Sequence, residues 1–483
     1  MRLTSAFAIR NTNLNIYHMR HSLLFRGPLA LAALATASLS HADTQAYFFE
    51  EMGEVMGVSD NGNYVAISDE DNLIGYIWHA DNPTEIENIT ISNKEEGLPS
   101  GQTITGVSVM DLTNDGMAVG SVYYKDGKQK AAYYLDGEWK YLPLHPNVMN
   151  NTQAIAVTPD GKTIAGYQFI SAPDSEIKGR YYPCQWTKNA EGGYDMNVYT
   201  SNDYLSNQGY WPMTQNVEGT IIGGMLYTDV GGSVPALIKE GELITFNEFE
   251  TRNEPFEYKG EVLGWYETYY VDNYREGQYG DDWFVGAFDN CDADGHFYGM
   301  RTVATDVNAD GSEGTLTNVA CIYDINTDQF IDDDKISLYT AGLGTDVLFT
   351  GSASVVLNGE NKKLPAAFGF STTRLLAGVA KISIDGKVLG AIWQEPNPAT
   401  GEYTYYPFVL VLDQPLAAVN EIIAGDDRCF IIVADGRIEV AGEAEAEVYT
   451  LDGHLAGQGK SVEVAPGIYA VKAGRTSRTV VVK

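Results

Sequence analysis

The segment AIAVTPDGKTIAGYQF, residues 154–169, alternates apolar and polar positions on both sides of Asp160-Gly161. Period-two alternation marks a strand with one buried face, and Asp-Gly supplies the positive φ that a tight hairpin needs. The pattern therefore predicts strand, turn, strand. The same layout returns at 57–68 (GVSDNGNYVAIS), at 106–124 (GVSVMDLTNDGMAVGSVYY, with a small insertion) and at 213–227 (MTQNVEGTIIGGMLY). Weaker copies stand at 304–314 (ATDVNADGSEG) and 380–393 (AKISIDGKVLGAIW). Their common core is a small or apolar residue, Ser/Thr/Asn two places on, then Asp/Asn/Glu-Gly, then Val or Ile and a further Gly. After several copies comes a third strand with an aromatic, as in GYIWHA (75–80) and YYPCQWTK (181–188), and then a fourth, as in GEWKYLP (137–143).

Units of three or four short strands, repeated every 45–70 residues or so, predict an all-β fold of the β-propeller class. One blade cannot bury both of its faces, so blades stack around an axis. Recognisable units fill 43–416 and give a count of six blades, with seven as the alternative. TQAYFFE (44–50) is expected to add a strand to the last blade and close the ring, which removes exposed edges. No long run of helical period with caps is present. Past Pro415 the chain changes character: RCFIIVADGRIEV, AEVYTLDGHLAGQG and SVEVAPGIYAVKAG are short alternating strands with Asp-Gly and Pro-Gly turns. They predict a small Ig-like β-sandwich over 417–483.

The first 42 residues read as an export signal. MRHSLLFRGPLALAALATASLSHA carries Arg20 and Arg26, an apolar run too short to span a bilayer, and small residues before Asp43. No second apolar run of spanning length follows, so the mature chain is expected not to be integral to a membrane. The net charge is −34, and removing residues 1–42 takes away four arginines and no acid. Nucleic acid is thereby excluded as a partner, because it requires basic patches. Four cysteines, at 184, 291, 321 and 429, form no CxxC motif. Export permits disulfides, and Cys291–Cys321 is the one pair worth weighing against free buried thiols.

The core pattern, read as S-x-D-G-x-x-V-x-G followed by A-x-x-W, resembles the HAF-type extracellular repeats of secreted bacterial propellers over most of 52–393. Such repeats set architecture and carry no shared activity. The tail resembles the C-terminal sorting domain of the type IX (Por) secretion system of Bacteroidetes. The matching pieces are VYTLDGHLAG (448–457), VAPGIYAVKAG (464–474) and the terminal TVVVK (479–483). TLDGH departs from the family, which more often has Ser or Asn before Gly and a basic residue after it. The resemblance implies passage across the outer membrane, the secretion machinery as a partner of the tail, and an extracellular or cell-surface location.

Candidate chemistry is sparse. In DVNADGSEG, Asp306, Asn308 and Asp310 fall at i, i+2 and i+4 before Gly311, as in the first half of a calcium loop. Thr317 stands where such a loop needs a bidentate acid, and the same residues align with the repeat turn, so both readings remain. Asp289, Asp292 and Asp294 nearby make this the most acidic turn region. Calcium is the only cofactor suggested. Past the signal, His79, His145, His296 and His454 form no HxH or HExxH motif, and no G-x-S-x-G elbow occurs. Two Tyr/Trp-rich segments, NQGYWP (207–212) and GWYETYYVDNY (264–274), fall between repeat cores and are read as face loops. Trp211, Trp265, Tyr266, Tyr269 and Tyr270 are the candidate ligand-binding residues, since flat aromatic faces beside planar polar groups suit sugars and peptides. The expected function is an exported binding or scaffold protein that recognises an extracellular glycan or protein. The alternative is a hydrolase or lyase acting on polysaccharide or peptide in the propeller funnel.

Overall fold

A computed structural model describes residues 44–91, 103–170, 180–199, 209–227, 233–246, 249–258, 261–271, 286–304, 316–357, 359–398, 401–416, 430–434, 437–441, 446–450, 454–465, 467–473 and 476–482. The export signal of 1–42 lies outside them. No helix among the described residues is long and apolar enough to cross a membrane.

Among the described residues, seven four-stranded antiparallel blades follow one another along the chain, with blades 2 and 3 joined by one parallel pairing of Asn151 with Gln129. Blade 1 holds β2 (Glu54–Val58), β3 (Tyr64–Asp69), β4 (Ile74–His79) and β5 (Ile86–Asn88). Blade 2 holds β6 (Ile104–Leu112), β7 (Ala118–Tyr124), β8 (Gln129–Leu135) and β9 (Glu138–Tyr141). Blade 3 holds β10 (Val148–Val157), β11 (Thr163–Ile170), β12 (Arg180–Lys188) and β13 (Tyr194–Val198). Blade 4 holds β14 (Tyr210–Gln215), β15 (Ile221–Tyr227), β16 (Ser233–Lys239) and β17 (Glu242–Thr245). A separate hairpin, β18 (Phe249–Tyr258) and β19 (Glu261–Val271), precedes blade 5. Blade 5 holds β20 (Ala287–Cys291), β21 (His296–Ala304), β22 (Leu316–Asp324) and β23 (Gln329–Asp333). Blade 6 holds β24 (Tyr339–Leu343), β25 (Val347–Thr350), β26 (Ser354–Leu357) and β27 (Glu360–Lys363), followed by a one-turn helix over Leu364–Phe368. Blade 7 is built from β28 (Leu375–Ile382), β29 (Val388–Pro396) and β30 (Tyr403–Val411), and its fourth strand is β1 (Gln45–Phe48) from the opposite end of the chain.

The ring is closed. Each pair of adjacent blades encloses its own apolar cluster. Blade 7 meets blade 1 through Val388 and Val409 against Val55, Val65 and Trp78. Blade 6 meets blade 7 through Val347, Phe349 and Val355 against Leu389, Trp393 and Phe408. The N-terminal strand latches in the register Gln45 to Val411 and Phe48 to Phe408, and the two Phe rings stack 4.8 Å apart. Arg374 lies over Trp393 at 4.0 Å and pairs with Glu50, and Trp393 Nε1–H donates to the Phe49 carbonyl. The closure expected of residues 44–50 is therefore present.

The repeat motif is explained by its hydrogen bonds. In blade 3, Thr163 N–H donates to Thr158 Oγ1 at 3.0 Å. Thr158 Oγ1–H donates to Asp160 Oδ1, which also accepts from Lys162 N–H. Gly161, at φ 68°, closes the turn onto the Thr158 carbonyl. Ser383, Asp385 and Gly386 repeat the arrangement in blade 7. The hydroxyl, the carboxylate and the glycine are each required by one turn geometry. These turns define one face of the propeller; the inner strands begin at the other.

Two expectations change. The blade count among the described residues is seven, the alternative to six, because blade 6 turns through Leu343-Gly344-Thr345-Asp346 and lacks the Asp-Gly order that marks the others. The weak copy at 304–314 stands between β21 and β22 and from residue 305 onward lies outside the described residues. The blade 5 turn is Asp292–Gly295, where Gly295 N–H donates to the Asp292 carbonyl. Cys291 and Cys321 are free thiols on β20 and β22, with β21 between them.

The C-terminal strands form two sheets. One contains β31 (Phe430–Ala434), β32 (Arg437–Ala441) and β35 (Ser461–Glu463). The other contains β33 (Ala446–Thr450), β34 (Leu455–Gly459), β36 (Gly467–Ala473) and β37 (Thr476–Val482). Ile438, Val448, Val462 and Val471 are buried between them, as a small sandwich requires.

Candidate functional site

Every innermost strand carries a β-bulge at the same place. The register slips by one residue at Met56 in blade 1, Met110 in blade 2, Ile155 in blade 3 and Met213 in blade 4. It slips likewise at Asp289, Thr340 and Ala380 in blades 5, 6 and 7. A bulge kinks the strand and re-aims its extra side chain. All seven of these residues line one axial cavity of about 110 Å³. Each stands three residues before the first residue of the turn: Met56 before Ser59, Ile155 before Thr158, Ala380 before Ser383.

Met56, Met110, Ile155, Met213 and Trp211 make an apolar wall on blades 1 to 4. Asp289, Thr340 and Lys381 give blades 5 to 7 a polar character, and Glu54 lies on blade 1 beside Met56. Lys381 Nζ donates to the Asp289 carbonyl at 2.9 Å. Thr340 Oγ1–H donates to the Val379 carbonyl at 2.6 Å, tying blade 6 to blade 7. Because the lining includes Glu54 and Pro212, near the starts of their strands, the socket opens toward the face away from the repeat turns.

Behind the apolar wall lies an aromatic cluster. The ring of Trp211 is 4.3 Å from Tyr167, 5.4 Å from Tyr181 and 6.5 Å from Tyr227. Tyr167 Oη–H donates to Gln153 Oε1 and accepts from Gln129 Nε2, which joins the cluster to a polar network between blades 2 and 3. Tyr227 Oη is enclosed with no partner among the described residues.

Beside Met110, Asp111 is enclosed between blades 1 and 2, where a Cβ on Gly57 would come within 2.6 Å of Oδ1. Burial pushes its carboxyl up to about 7, against the Val157 and Leu112 N–H groups it accepts from and the charge of Lys381. Burial also pushes Asp60, on the blade 1 turn, up to about 6.

Of the residues singled out in the sequence, Trp211 belongs to this site. NQGYWP is not a face loop throughout, because β14 begins within it at Tyr210 and carries Trp211 to the axis. Trp265, Tyr266, Tyr269 and Tyr270 lie on β19, in register with Pro255, Glu254, Thr251 and Glu250, so this segment is strand rather than loop. Their side chains lie outside the described residues, as do Asp306, Asn308 and Asp310. Asp289 lines the socket, whereas Asp292 holds the blade 5 turn. No group of three or more His, Cys, Asp or Glu side chains placed to hold a metal occurs among the described residues. Sequence reading missed the bulge residues; their signal is the fixed offset of three from a repeat turn.

No protein-family model matches the chain, and no curated protein does. Among solved structures, a prolyl endopeptidase is similar at 10% identity and a TM-score of 0.40, with 88% of this chain and 55% of that chain covered. The chain thus spans about half the length of that enzyme. An oligogalacturonate lyase from Vibrio parahaemolyticus is similar at 9% identity and a TM-score of 0.38, covering 76% of this chain and 96% of that one. YCF48 bound to D1 peptide is similar at 10% identity and a TM-score of 0.38, covering 79% and 99%. The chain's own sheet order and ring closure, independently of these likenesses, define it as a seven-bladed β-propeller.

Proposed function

We propose that this chain is an exported propeller that binds an extracellular glycan or protein at the open end of its axial socket. Its C-terminal strands would engage the secretion machinery and hold the propeller at the cell surface. The observation that carries the binding reading is the ring of seven bulge residues around one small cavity with an aromatic cluster behind it. A strand bulge at one place in every blade turns seven unrelated side chains toward a single point. An engineered cavity of about 150 Å³ holds a benzene, so a socket of this size suits one inserted group. Ligand sites are concave and mostly apolar, with a few polar groups that fix orientation, and the socket has that make-up.

The second reading, a hydrolase or lyase, is favoured by Asp111, whose carboxyl titrates near neutrality beside the socket. Both of its oxygens, however, accept main-chain N–H groups and tie blade 2 to blade 3. The test incubates the full chain with immobilised polysaccharides and mucin glycoproteins and measures both retention and soluble products. Retention without products, reduced in Trp211→Ala, is the expected result. Released products would overturn the binding reading in favour of the enzyme. Loss of retention with chelator would direct attention to Asp306, Asn308 and Asp310 and to calcium.

A further inference from the structure

We propose that the axial socket seats the acetamido group of an amino sugar, with its carbonyl oxygen on the indole N–H of Trp211. This rests on the reading of the socket as a ligand site and names the chemistry it selects. A buried tryptophan ordinarily finds an acceptor for its one N–H. Trp78 donates to the Pro83 carbonyl at 2.9 Å, Trp139 to that of Ile89 at 2.8 Å, Trp186 to that of Pro143 at 2.8 Å and Trp393 to that of Phe49 at 3.3 Å. Trp211 alone among the described tryptophans donates to nothing. Its side chain is 9% exposed, and the open space it borders is the socket. Unlike the Tyr227 hydroxyl, its N–H is not sealed in. Tyr167 and Tyr181 hold the ring from behind, at 4.3 and 5.4 Å, so the donor is fixed in place.

The neighbours of that donor decide what accepts from it. Met56, Met110, Ile155 and Met213 offer no strong hydrogen-bond partner. A group seated on this wall must bring an acceptor and no donor of its own, because a donor there would be left unpaired. A hydroxyl or an ammonium fails that condition, and an acyl carbonyl meets it. Glu54, Asp289 and Lys381 each already have a partner within the chain, so an entering ion would find no unengaged counter-charge. The acetyl methyl suits the polarizable thioethers. The cavity of about 110 Å³ is smaller than the roughly 150 Å³ that holds a benzene, so it takes an acetyl group and leaves the sugar ring at the mouth. The amide N–H then stands at the mouth, where solvent pairs it. A main-chain amide of a polypeptide carries chain on both sides, which a socket of this size does not admit. An acetamido group ends in its methyl, and every residue of an N-acetylated amino-sugar polymer presents one.

The test titrates the full chain with methyl N-acetylglucosaminide, methyl glucoside and methyl glucosaminide. It follows heat of binding and, with isotope-labelled tryptophan, the indole N–H resonances. The N-acetyl sugar is expected to bind at least about tenfold more tightly than the other two and to shift one indole resonance downfield. Trp211→Phe keeps an aromatic ring and removes the donor. It should weaken the N-acetyl sugar about fivefold, leave the glucoside within about twofold and lack the resonance that shifts. If that variant melts early, Ala380→Leu, which fills the socket, should abolish both the binding and the shift. A tripeptide with a central acetyl-lysine that binds more tightly than the sugar overturns the amino-sugar assignment in favour of an acylated polypeptide. Glucoside or glucosaminide binding as tightly as the N-acetyl sugar overturns the proposal. So does N-acetyl binding unchanged in Trp211→Phe, or no binding by a chain whose melting curve is intact. Retention on polysaccharide or glycoprotein without any N-acetyl preference overturns this proposal alone and leaves the binding reading standing.

Discussion

Asp292→Asn should cost this propeller about 3–5 kcal/mol, because the residue does in blade 5 what a hydroxyl does in most of the other blades, and does it with a buried charge. The turn position is Ser59, Thr113, Thr158, Asn216, Leu343 and Ser383 elsewhere, and Asp only here. The Asp292 carboxylate accepts the Asp294 N–H at 3.0 Å and the His296 N–H at 2.9 Å. It accepts His296 Nδ1–H at 2.9 Å, Tyr298 Oη–H at 2.5 Å and, from blade 6, the Gly344 N–H at 3.0 Å. Its side chain is 6% exposed. An amide cannot accept all five, and its NH₂ would face donors. Hydrogen bonds to a charged group are worth about 1.5–3 kcal/mol each. Removing one partner of a buried pair costs about 3–5 kcal/mol, which sets the figure.

The pH dependence has a definite sign. Burial raises the Asp292 carboxyl, but the hydrogen bond and charge of His296, with Tyr298 and Gly344, outweigh it and hold it below 3.8. Its contribution is present above that value and is lost as pH falls through the lowered pKa. The hydrogen bond to Asp292 holds His296 above 6.5, against burial. Its contribution is present below 6.5 and is lost as pH rises through the raised pKa. The gap between wild type and Asp292→Asn should be widest at about pH 4–6.5 and narrow above it. Urea unfolding of both proteins, followed by tryptophan fluorescence across pH 4–9, measures this. A gap below about 1 kcal/mol at pH 6, or one that widens from pH 6 to 9, would refute the reasoning.

Three further outcomes are expected. Gly166→Ala should lower stability by about 1–3 kcal/mol, seen as a lower melting temperature, since a Cβ there would overlap the Gln153 carbonyl oxygen. Deleting residues 45–48 should leave the edge of β30 unpaired, and light scattering should report aggregation below the wild-type melting temperature. The native protein should leave Cys184 and Cys321 unmodified by a thiol reagent and expose them on unfolding, because both are buried and burial pushes their thiols up.

The strand-turn-strand unit was legible because three residue types at fixed spacing serve one local geometry. Thr158, Asp160 and Gly161 bond among themselves within six residues, so nothing distant is needed to read them. The ring closure was legible for a similar reason, since an alternating apolar strand stranded at one end of a repeat array needs an edge to pair with. Blade 6 was missed because Gly344 precedes Asp346. The blade 5 turn was assigned to ATDVNADGSEG because that segment copies the composition of the turn, whereas the turn itself is Asp292–Gly295. The identity of turn residues carries their local bonding but not which pair of strands they join.

The axial ring was harder to read because the seven residues at that position, three Met with Ile, Asp, Thr and Ala, share no single chemistry. What they share is a backbone event, and that event leaves its mark on the neighbouring strand. At the bulge the carbonyl of Ser108, Gln153, Trp211 or Ala287 turns toward β7, β11, β15 or β21, where a Cβ on Gly120, Gly166, Gly224 or Gly299 would overlap it. The glycine that ends several copies of the repeat motif is therefore required by the bulge across from it, not by a turn. Read that way, the glycine locates the bulge, and the bulge locates the axial side chain, which is the residue after the glycine's partner: Met110 after Val109, Ile155 after Ala154, Met213 after Pro212, Asp289 after Phe288. The motif that sets the architecture thus also indexes the residues that differ from blade to blade at the axis, and it is in those differences, thioethers on blades 1, 2 and 4 and the Asp289 carboxylate on blade 5, that any selectivity of the socket resides.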